Sequence, residues 1–450
     1  MKHILLFGAG KSATSLIRFL VNLSVERSWK LTICDQDIEA IKIKSGNSKI
    51  VNAISLNVQE ENSRFELIKS ADIVISLLPA HLHFLVAIDC KNALKNLLTA
   101  SYIDEKIMPF EKEIAEKNLL FLYEMGLDPG IDHMSAMSII DRIKNESGNV
   151  TSFISHCGGL VAPKSDNNPW HYKITWNPRN VVLAGKDGAV YKENFKNISV
   201  TYNSIFRNCK LVDVPELTKL AWYPNRDSSR YINLYGLQET NTFIRTTLRY
   251  PQFCRGWSKL INIGITSIDD YEIIKHCKTY ADWFNTKIKP YTDNDTNWNS
   301  YLQMYITDPF KDEFEKQMAF LGLQSKDLID VPFNSSADIL QSLMEKKLSL
   351  SPTDKDMIVM LHEIEYEKQG ETFKVTSSLI VEGEDSLETA MAKTVGLPLG
   401  IATQLILDGK INEKGLKIPM YKDIYEPVLS SLKTYGISFN ESTEKKNLQA

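Results

Sequence analysis

Apolar residues gather in short blocks through the first third of the chain. The runs "HILLFG" (3–8), "KLTICD" (30–35), "VNAISL" (51–56), "ADIVISLLP" (71–79), "NLLTAS" (96–101) and "NLLFLYEMG" (118–126) have the length and apolar density of buried strands. Between them lie stretches with helical spacing, such as "HFLVAIDCKNALK" and "DEKIMPFEKEIAEK", and a helix is expected to begin near Lys11. Strand and helix in alternation predict a parallel sheet covered on both faces, joined by right-handed crossovers.

After Asn149 the pattern changes. "VTSFISHCGGL", "NVVLAG", "TNTFIRTTLRY", "MIVMLHEIEYE" and "FKVTSSLIVEG" are expected to be more open strands, several alternating apolar with polar residues as a one-sided sheet does. From 254 to 352 the spacing turns helical and polar, in "SIDDYEIIKHCKTYADWFNTKI", "FKDEFEKQMAFLGL" and "ADILQSLMEKKL". The segment "SLETAMAKTVGLPLGIATQLILDGKI" predicts a long apolar helix, and the polar end "NESTEKKNLQA" is expected to fray. The fold class is therefore α/β. A Rossmann-variant parallel-sheet domain covers 1–128, with about 385–450 packing back on the core. An α+β substrate-binding and dimerisation domain covers 129–253 and 353–384, and 254–352 is an all-helical insertion.

Composition narrows the function classes. A chain of 450 residues with 43% hydrophobic and 24% charged residues exceeds one core and has the balance of a globular protein. Net charge is −4 without a basic block, which argues against nucleic acid and anionic membrane surfaces as partners. The apolar runs are read as short of a membrane span, and the opening "MKHILLFGAGKSA" as a strand leading into a glycine motif rather than a leader. The six cysteines form no CxxC pair, so reduced thiols in an intracellular setting are expected, with no metal site.

The chemistry-bearing motifs cluster where strands end. In "GAGKSA", Gly8 permits a tight turn, Gly10 admits a pyrophosphate close to the backbone, and Ala13 lets the following helix approach the sheet. Asp35 closes the second strand, where an acid receives adenosine ribose hydroxyls; a solvated loop acid is the other reading. Ser101 and Tyr102 follow the fifth strand, at the edge where open α/β sheets bind ligands; a turn serine and a half-buried tyrosine are the other reading. "GLDPGIDH" (126–133) follows the sixth, so Asp128 is expected to line a cofactor cleft and Asp132 to cap the next helix, though a turn plus a cap accounts for it equally. Cys157 is either a nucleophile or acid–base group, or simply a small buried residue. Arg226, Arg245 and Arg249 lie among apolar strand residues, suited to gripping carboxylates or to internal ion pairs.

These residues, with "VISLLPAHLH", "TASYID", "CGGLVAP", "NPWHYKITWNPR", "YPNRDS", "IRTTLRYPQF" and "AMAKTVGLPLGIATQLILDGKI", occur in one order along nearly the whole chain. In that order they resemble the saccharopine dehydrogenase (L-glutamate-forming; saccharopine reductase) family. The resemblance implies a cytoplasmic homodimer of lysine metabolism. It would oxidise saccharopine with NAD(P) to glutamate and 2-aminoadipate semialdehyde through an imine. It implies cofactor contacts from Gly8, Gly10, Lys11, Ser12, Ala13, Asn57, Val58, Leu78, Leu127, Asp128, Pro129 and Trp176. Substrate contacts would come from Ser101, Tyr102, Arg226, Arg245, Thr246 and Thr247, and Tyr102, Asp128 and Cys157 would be the polar groups nearest the chemistry. Fungal members carry a cysteine and an arginine after the second strand and use NADP. Here the strand ends Asp35-Gln36-Asp37, with Lys42 and Lys44 expected to face solvent, which favours NAD. Two alternatives stay open: a reductase of a polyamine-type conjugate such as carboxynorspermidine, and a non-catalytic dinucleotide-binding sensor.

Overall fold

The computed structural model describes residues 1–292, 298–303 and 308–446. The chain forms two compact units, 1–150 with 365–450, and 151–364. Residues 129–150 and 365–384, grouped by pattern with the substrate-binding part, belong to the first unit.

In the first unit, β1 (His3–Phe7), β2 (Lys30–Asp35), β3 (Val51–Ser55), β4 (Ile73–Ser76), β5 (Asn96–Thr99) and β6 (Leu120–Leu122) form a parallel sheet with a late strand, Gly415–Lys417. The order runs from that late strand through β6, β5, β4, β1 and β2 to β3. Order reverses between β1 and β4, so the ligand-binding crevice of such a sheet lies beyond their carboxyl ends. The five residues of β1 are all buried, as a central strand covered on both faces requires. Helices α1 (Thr14–Arg27), α2 (Ile38–Lys44), α3 (Glu61–Ser70), α4 (His83–Ala93), α5 (Glu111–Glu116) and α6 (Ile131–Asn145) lie between or after the strands.

The apolar helix Ala390–Leu407 packs on α1. Its composition corrects the expectation that no run approaches a membrane span. It has 18 residues of mean hydropathy 1.4, yet 72% of it is buried inside the protein. Two glycines allow the contact: a Cβ at Gly396 would stand 2.7 Å from the Leu16 backbone nitrogen, and one at Gly400 would stand 2.6 Å from the Phe19 ring.

In the second unit, β7 (Asn149–Val161), β8 (Ala189–Glu193), β9 (Lys196–Val200), β10 (Lys210–Asp213), β11 (Lys219–Pro224), β12 (Arg226–Asp227), β13 (Thr242–Arg249) and β14 (Asp356–Lys368) build a mixed sheet. Its order is β10, β11, β13, β7, β14, with β8 bridging β9, β12 and β13. The unit boundaries fall inside β7 and β14. Helices between Pro251 and Lys347 wrap an aromatic core that includes Trp170, Trp257, Trp283 and Phe253.

Three local expectations are corrected. "NVVLAG" is not a strand: Asn177 caps a short helix, Pro178–Val182, by accepting the Arg179 N–H, and proline at the first turn favours that helix. The expected helix over 267–288 is two, Tyr271–Ile274 and Tyr280–Ile288, because Thr279 and Asp282 form a capping box that starts the second afresh. Asn440–Lys445 does not fray but pairs antiparallel with the strand Glu371–Glu382; residues 447–450 lie outside the described residues.

The glycine contact on α1 gives a stability prediction. Gly396→Ala gains roughly 1 kcal/mol of helix propensity, but a methyl group against fixed backbone costs about 1–3 kcal/mol. Urea unfolding should show a lower midpoint with unchanged slope, and a raised midpoint would contradict the close packing.

Candidate active site

The glycine loop is held by its neighbours. Gly8 has φ +102°, and a Cβ there would stand 2.5 Å from the Leu77 carbonyl oxygen, so only glycine fits where β1 and β4 part. A Cβ at Gly10 would meet nothing within 4 Å, which leaves the loop backbone open to a bulky anion. The next turn, Lys11–Ala13, has no side-chain cap on its N–H groups, as a phosphate-accepting helix start requires. Lys11 is exposed, Ser12 half-buried, and Ala13 buried beneath the turn. The residues present therefore fit a dinucleotide.

Asp35 and Lys44 brace this loop from opposite sides. The Asp35 carboxylate accepts the Ala9 N–H at 2.6 Å and the Asp37 N–H at 2.9 Å. Asp37 in turn caps α2. Lys44 does not face solvent, contrary to expectation. It is 9% exposed, and its ammonium donates to the carbonyls of Ala9 and Gly10. The reason is helical phase: Lys44 lies three residues beyond Ile41, which is fully buried, so both share the inward face of α2. Burial lowers the Lys44 pKa to about 8, opposed by the neighbouring Asp35 carboxylate. Lys42 remains exposed and pairs with Glu39.

Asn57 and Val58 form the turn after β3. The Asn57 side chain accepts the Gln59 N–H at 3.1 Å, and the Val58 carbonyl accepts from Arg64, which is ion-paired with Asp89 at 2.7 Å in a buried contact.

The carboxyl ends of β4, β5 and β6 bring together Leu78, Ser101, Tyr102, Leu127, Asp128 and Pro129. Leu78, Ser101, Tyr102 and Asp128 are half-buried, whereas Leu127 and Pro129 are buried. The Asp128–Pro129 peptide is cis. The crowding of acids in "GLDPGIDH" now has a physical account. A Cβ at Gly130 (φ +149°) would overlap Gly126, so this crossing of backbone requires glycine. Asp132 is not the helix cap but lies in the first turn of α6, where it accepts the Gly130 N–H at 2.6 Å. His133, fully buried, meets the buried Glu124 carboxylate at 2.8 Å. Glu124 and His133 thus lock the loop that presents Asp128.

A second buried histidine, His83, connects β4 to β5. Its Nδ1 is 2.8 Å from Ser76 Oγ and 3.4 Å from Thr99 Oγ1, and its Nε2 is 2.7 Å from Ser101 Oγ. Burial lowers its pKa to about 4, opposed by Asp104 and assisted by His81.

In the second unit, Cys157, Thr247 and Tyr223 occupy one row, because Thr247 pairs with Cys157 of β7 and with Tyr223 of β11. Alternation along β13 puts Arg245 and Arg249 on the same face as Thr247. Thr246 faces the other way, 2.7 Å from His156 Nδ1, so Arg245, Thr246 and Thr247 do not share a face. Arg245 is 3% exposed and lies over the Tyr231 ring at 4.5 Å. Arg226 differs: it is exposed, with φ +53°. Arg249 is 4% exposed and lies over Tyr172 and Phe253; its Nε has no hydrogen-bond partner, and no carboxylate pairs with it among the described residues. Cys157 is buried, and none of the six cysteines forms a disulfide. Trp176 belongs to the second unit, packed against its aromatic core, whereas the other expected cofactor contacts belong to the first.

The expected residues thus form two sets, one on each unit. His83, Glu124 and Lys44 were missed as members. Glu124 is a single polar residue inside an apolar run, and that isolation was the available signal, whereas His83 follows His81 in "AHLHFLV" and is not singled out.

Residues 4–122 match the family model described as saccharopine dehydrogenase NADP binding domain, and residues 126–437 match saccharopine dehydrogenase C-terminal domain. Among similar proteins, alpha-aminoadipic semialdehyde synthase of Arabidopsis thaliana is 31% identical over 98% of this chain and 45% of its own length. The mitochondrial protein of that name from Rattus norvegicus is 33% identical over 88% of this chain and 43% of its own. The chain spans about half the length of these relatives. Saccharopine dehydrogenase [NADP(+), L-glutamate-forming] of Saccharomyces cerevisiae is 32% identical over 98% of this chain and 99% of its own length. The structure of apo histidine-tagged saccharopine dehydrogenase (L-Glu forming) from Saccharomyces cerevisiae superposes with a TM-score of 0.88 at 30% identity, covering 99% of this chain and 100% of that one. A glycine loop at the switch point of a parallel sheet, a second unit with buried arginines, and matches along both lengths lead to one assignment: the chain belongs to the saccharopine dehydrogenase family.

Proposed function

We propose that this chain is an NAD(P)-dependent oxidoreductase that converts saccharopine and water to L-glutamate and 2-aminoadipate 6-semialdehyde, or catalyses the reverse. The observation that carries the substrate class is Arg249, a buried guanidinium without a carboxylate partner among the described residues, on the same strand face as Arg245 and Cys157. The Arg249 guanidinium donates to the Leu248 carbonyl at 2.8 Å, but a buried cation without a counter-charge is costly, and an acidic ligand offsets that cost. Saccharopine has three carboxylates, and a polyamine conjugate has fewer.

Gly8, Gly10, Lys11, Ser12 and Ala13 would hold the pyrophosphate, Asp35 the adenosine ribose, and Asn57 and Val58 the adenine side. Leu78, Leu127, Asp128 and Pro129 would line the nicotinamide half. When bound, the nicotinamide supplies the hydride acceptor. The chain's own groups bind the substrate carboxylates, through Arg245, Arg249, Arg226, Thr247, Ser101 and Tyr102. They also accept the proton that the secondary amine must lose. Tyr102, Asp128 and Cys157 are the polar groups we assign to that transfer, with water sharing the work.

The cofactor preference rests on charge. Asp35 has a carboxylate at the ribose end, and Gln36 and Asp37 add no cation; a 2'-phosphate would meet like charge. Lys44 reduces this repulsion but commits its donors to the carbonyls of Ala9 and Gly10. We propose NAD over NADP.

Three outcomes are expected. Arg245→Ala and Arg249→Met should each lower saccharopine kcat/KM by roughly two to three powers of ten, and exposed Arg226→Ala by less, with dinucleotide Kd nearly unchanged. Wild-type kcat/KM in both buried variants would overturn the carboxylate clamp. Tyr102→Phe, Asp128→Ala and Cys157→Ser should each slow turnover by less than the ~10⁴-fold of a dedicated acid–base group; complete loss in one, with both ligands still bound, would identify a sole base instead. For the cofactor, kcat/KM should be higher with NAD in the wild type, and Asp35→Ser/Gln36→Arg should shift preference to NADP. A wild-type preference for NADP that Lys44→Met abolishes would assign the phosphate to Lys44 and refute the Asp35 reading.

A further inference from the structure

The hydrogen bonds around His83 specify which way a single proton points. Ser76 is fully buried at the end of β4, and among the described residues its hydroxyl has one partner, the His83 Nδ1 at 2.8 Å. A buried hydroxyl needs an acceptor for its proton. Only the Nδ1 lone pair provides one, so the ring carries its hydrogen on Nε2. That N–H then donates to Ser101 Oγ at 2.7 Å. The backbone of Ser101 is committed on both sides: its N–H donates to Thr99 Oγ1 at 3.2 Å, and its carbonyl accepts the Glu124 N–H at 2.9 Å. The remaining donor of Ser101 is its own hydroxyl proton, on a half-buried side chain at the carboxyl end of the sheet.

We propose that His83 is a positioning residue that fixes Ser101 as a hydrogen-bond donor to a carboxylate oxygen of the substrate. The proposal rests on the functional reading above, in which Ser101 touches saccharopine. A carboxylate only accepts hydrogen bonds, so a serine whose oxygen already receives one and whose proton is free matches it. With the opposite tautomer, Ser101 would spend its proton on the ring and present lone pairs to an anion. Burial also keeps the ring neutral near pH 7, so the arrangement persists across the working range.

The test combines spectroscopy with kinetics. In protein labelled with nitrogen-15 histidine, long-range proton–nitrogen spectra assigned by loss of signal in His83→Gln should show a neutral Nε2–H ring at pH 7. His83→Ala and Ser101→Ala should each raise KM for saccharopine about 10- to 100-fold, the worth of one hydrogen bond to a charged group. kcat should change less, and the dinucleotide Kd should stay within about twofold. The double variant should be no worse than Ser101→Ala, and His83→Gln, which can still donate to Ser101, should recover most of the loss. An Nδ1–H or cationic ring would overturn the proposal even if the alanine variant did not fold. Additive losses, or a raised dinucleotide Kd with unchanged saccharopine KM, would also overturn it. If wild type turned over saccharopine and the variants kept its KM, this proposal alone would fail. If wild type did not use saccharopine, the functional reading would fail and this proposal with it.

Discussion

The first unit is organised by a close approach of backbone to backbone where β1 ends. Gly8 sits against the Leu77 carbonyl, and any side chain there would drive β1 and β4 apart at the point where the strand order reverses. That approach creates the crevice and makes the loop tight. The loop is then braced by charge: Asp35 takes the Ala9 N–H, and Lys44 takes the carbonyls of Ala9 and Gly10. Opposite charges gripping the N–H of Ala9 and the carbonyls of Ala9 and Gly10 hold the loop rigid before any ligand arrives, which lowers the ordering cost of binding.

The same device recurs at the other strand ends. Glu124 and His133 fix the turn that presents Asp128, and His83 fixes Ser101. Glu124 with His133, and Ser76 with His83, are buried polar pairs, each supporting one half-buried side chain. Buried polar networks of this kind are unfavourable unless every member is satisfied. They therefore specify a single loop geometry, which is what alignment of two reactants requires.

Much of this was legible in the chain. The strand–helix alternation of the first 126 residues made the parallel sheet legible, because buried parallel strands read as continuous apolar runs. Arg245 and Cys157 were visible as polar residues in apolar strands. What escaped depended on helical phase or on partners distant in sequence. Lys44 was read as solvated, although its spacing from Ile41 turns it inward. His83 and Glu124 gain meaning only when β4, β5 and β6 lie side by side. The helix at Pro178–Val182 was hidden by β-branched residues that favour strands, and its Asn-Pro start decided the matter. The terminal strand Asn440–Lys445 is exposed throughout, so no hydrophobic signal marked it.

The proposed reaction is the oxidation of the secondary amine of saccharopine by a nicotinamide cofactor. Its most direct test is product stoichiometry. The purified chain, given saccharopine and NAD or NADP, should form one L-glutamate for each reduced nicotinamide, measured by mass spectrometry beside absorbance. Reduced nicotinamide without glutamate, or turnover of carboxynorspermidine in place of saccharopine, would contradict the account.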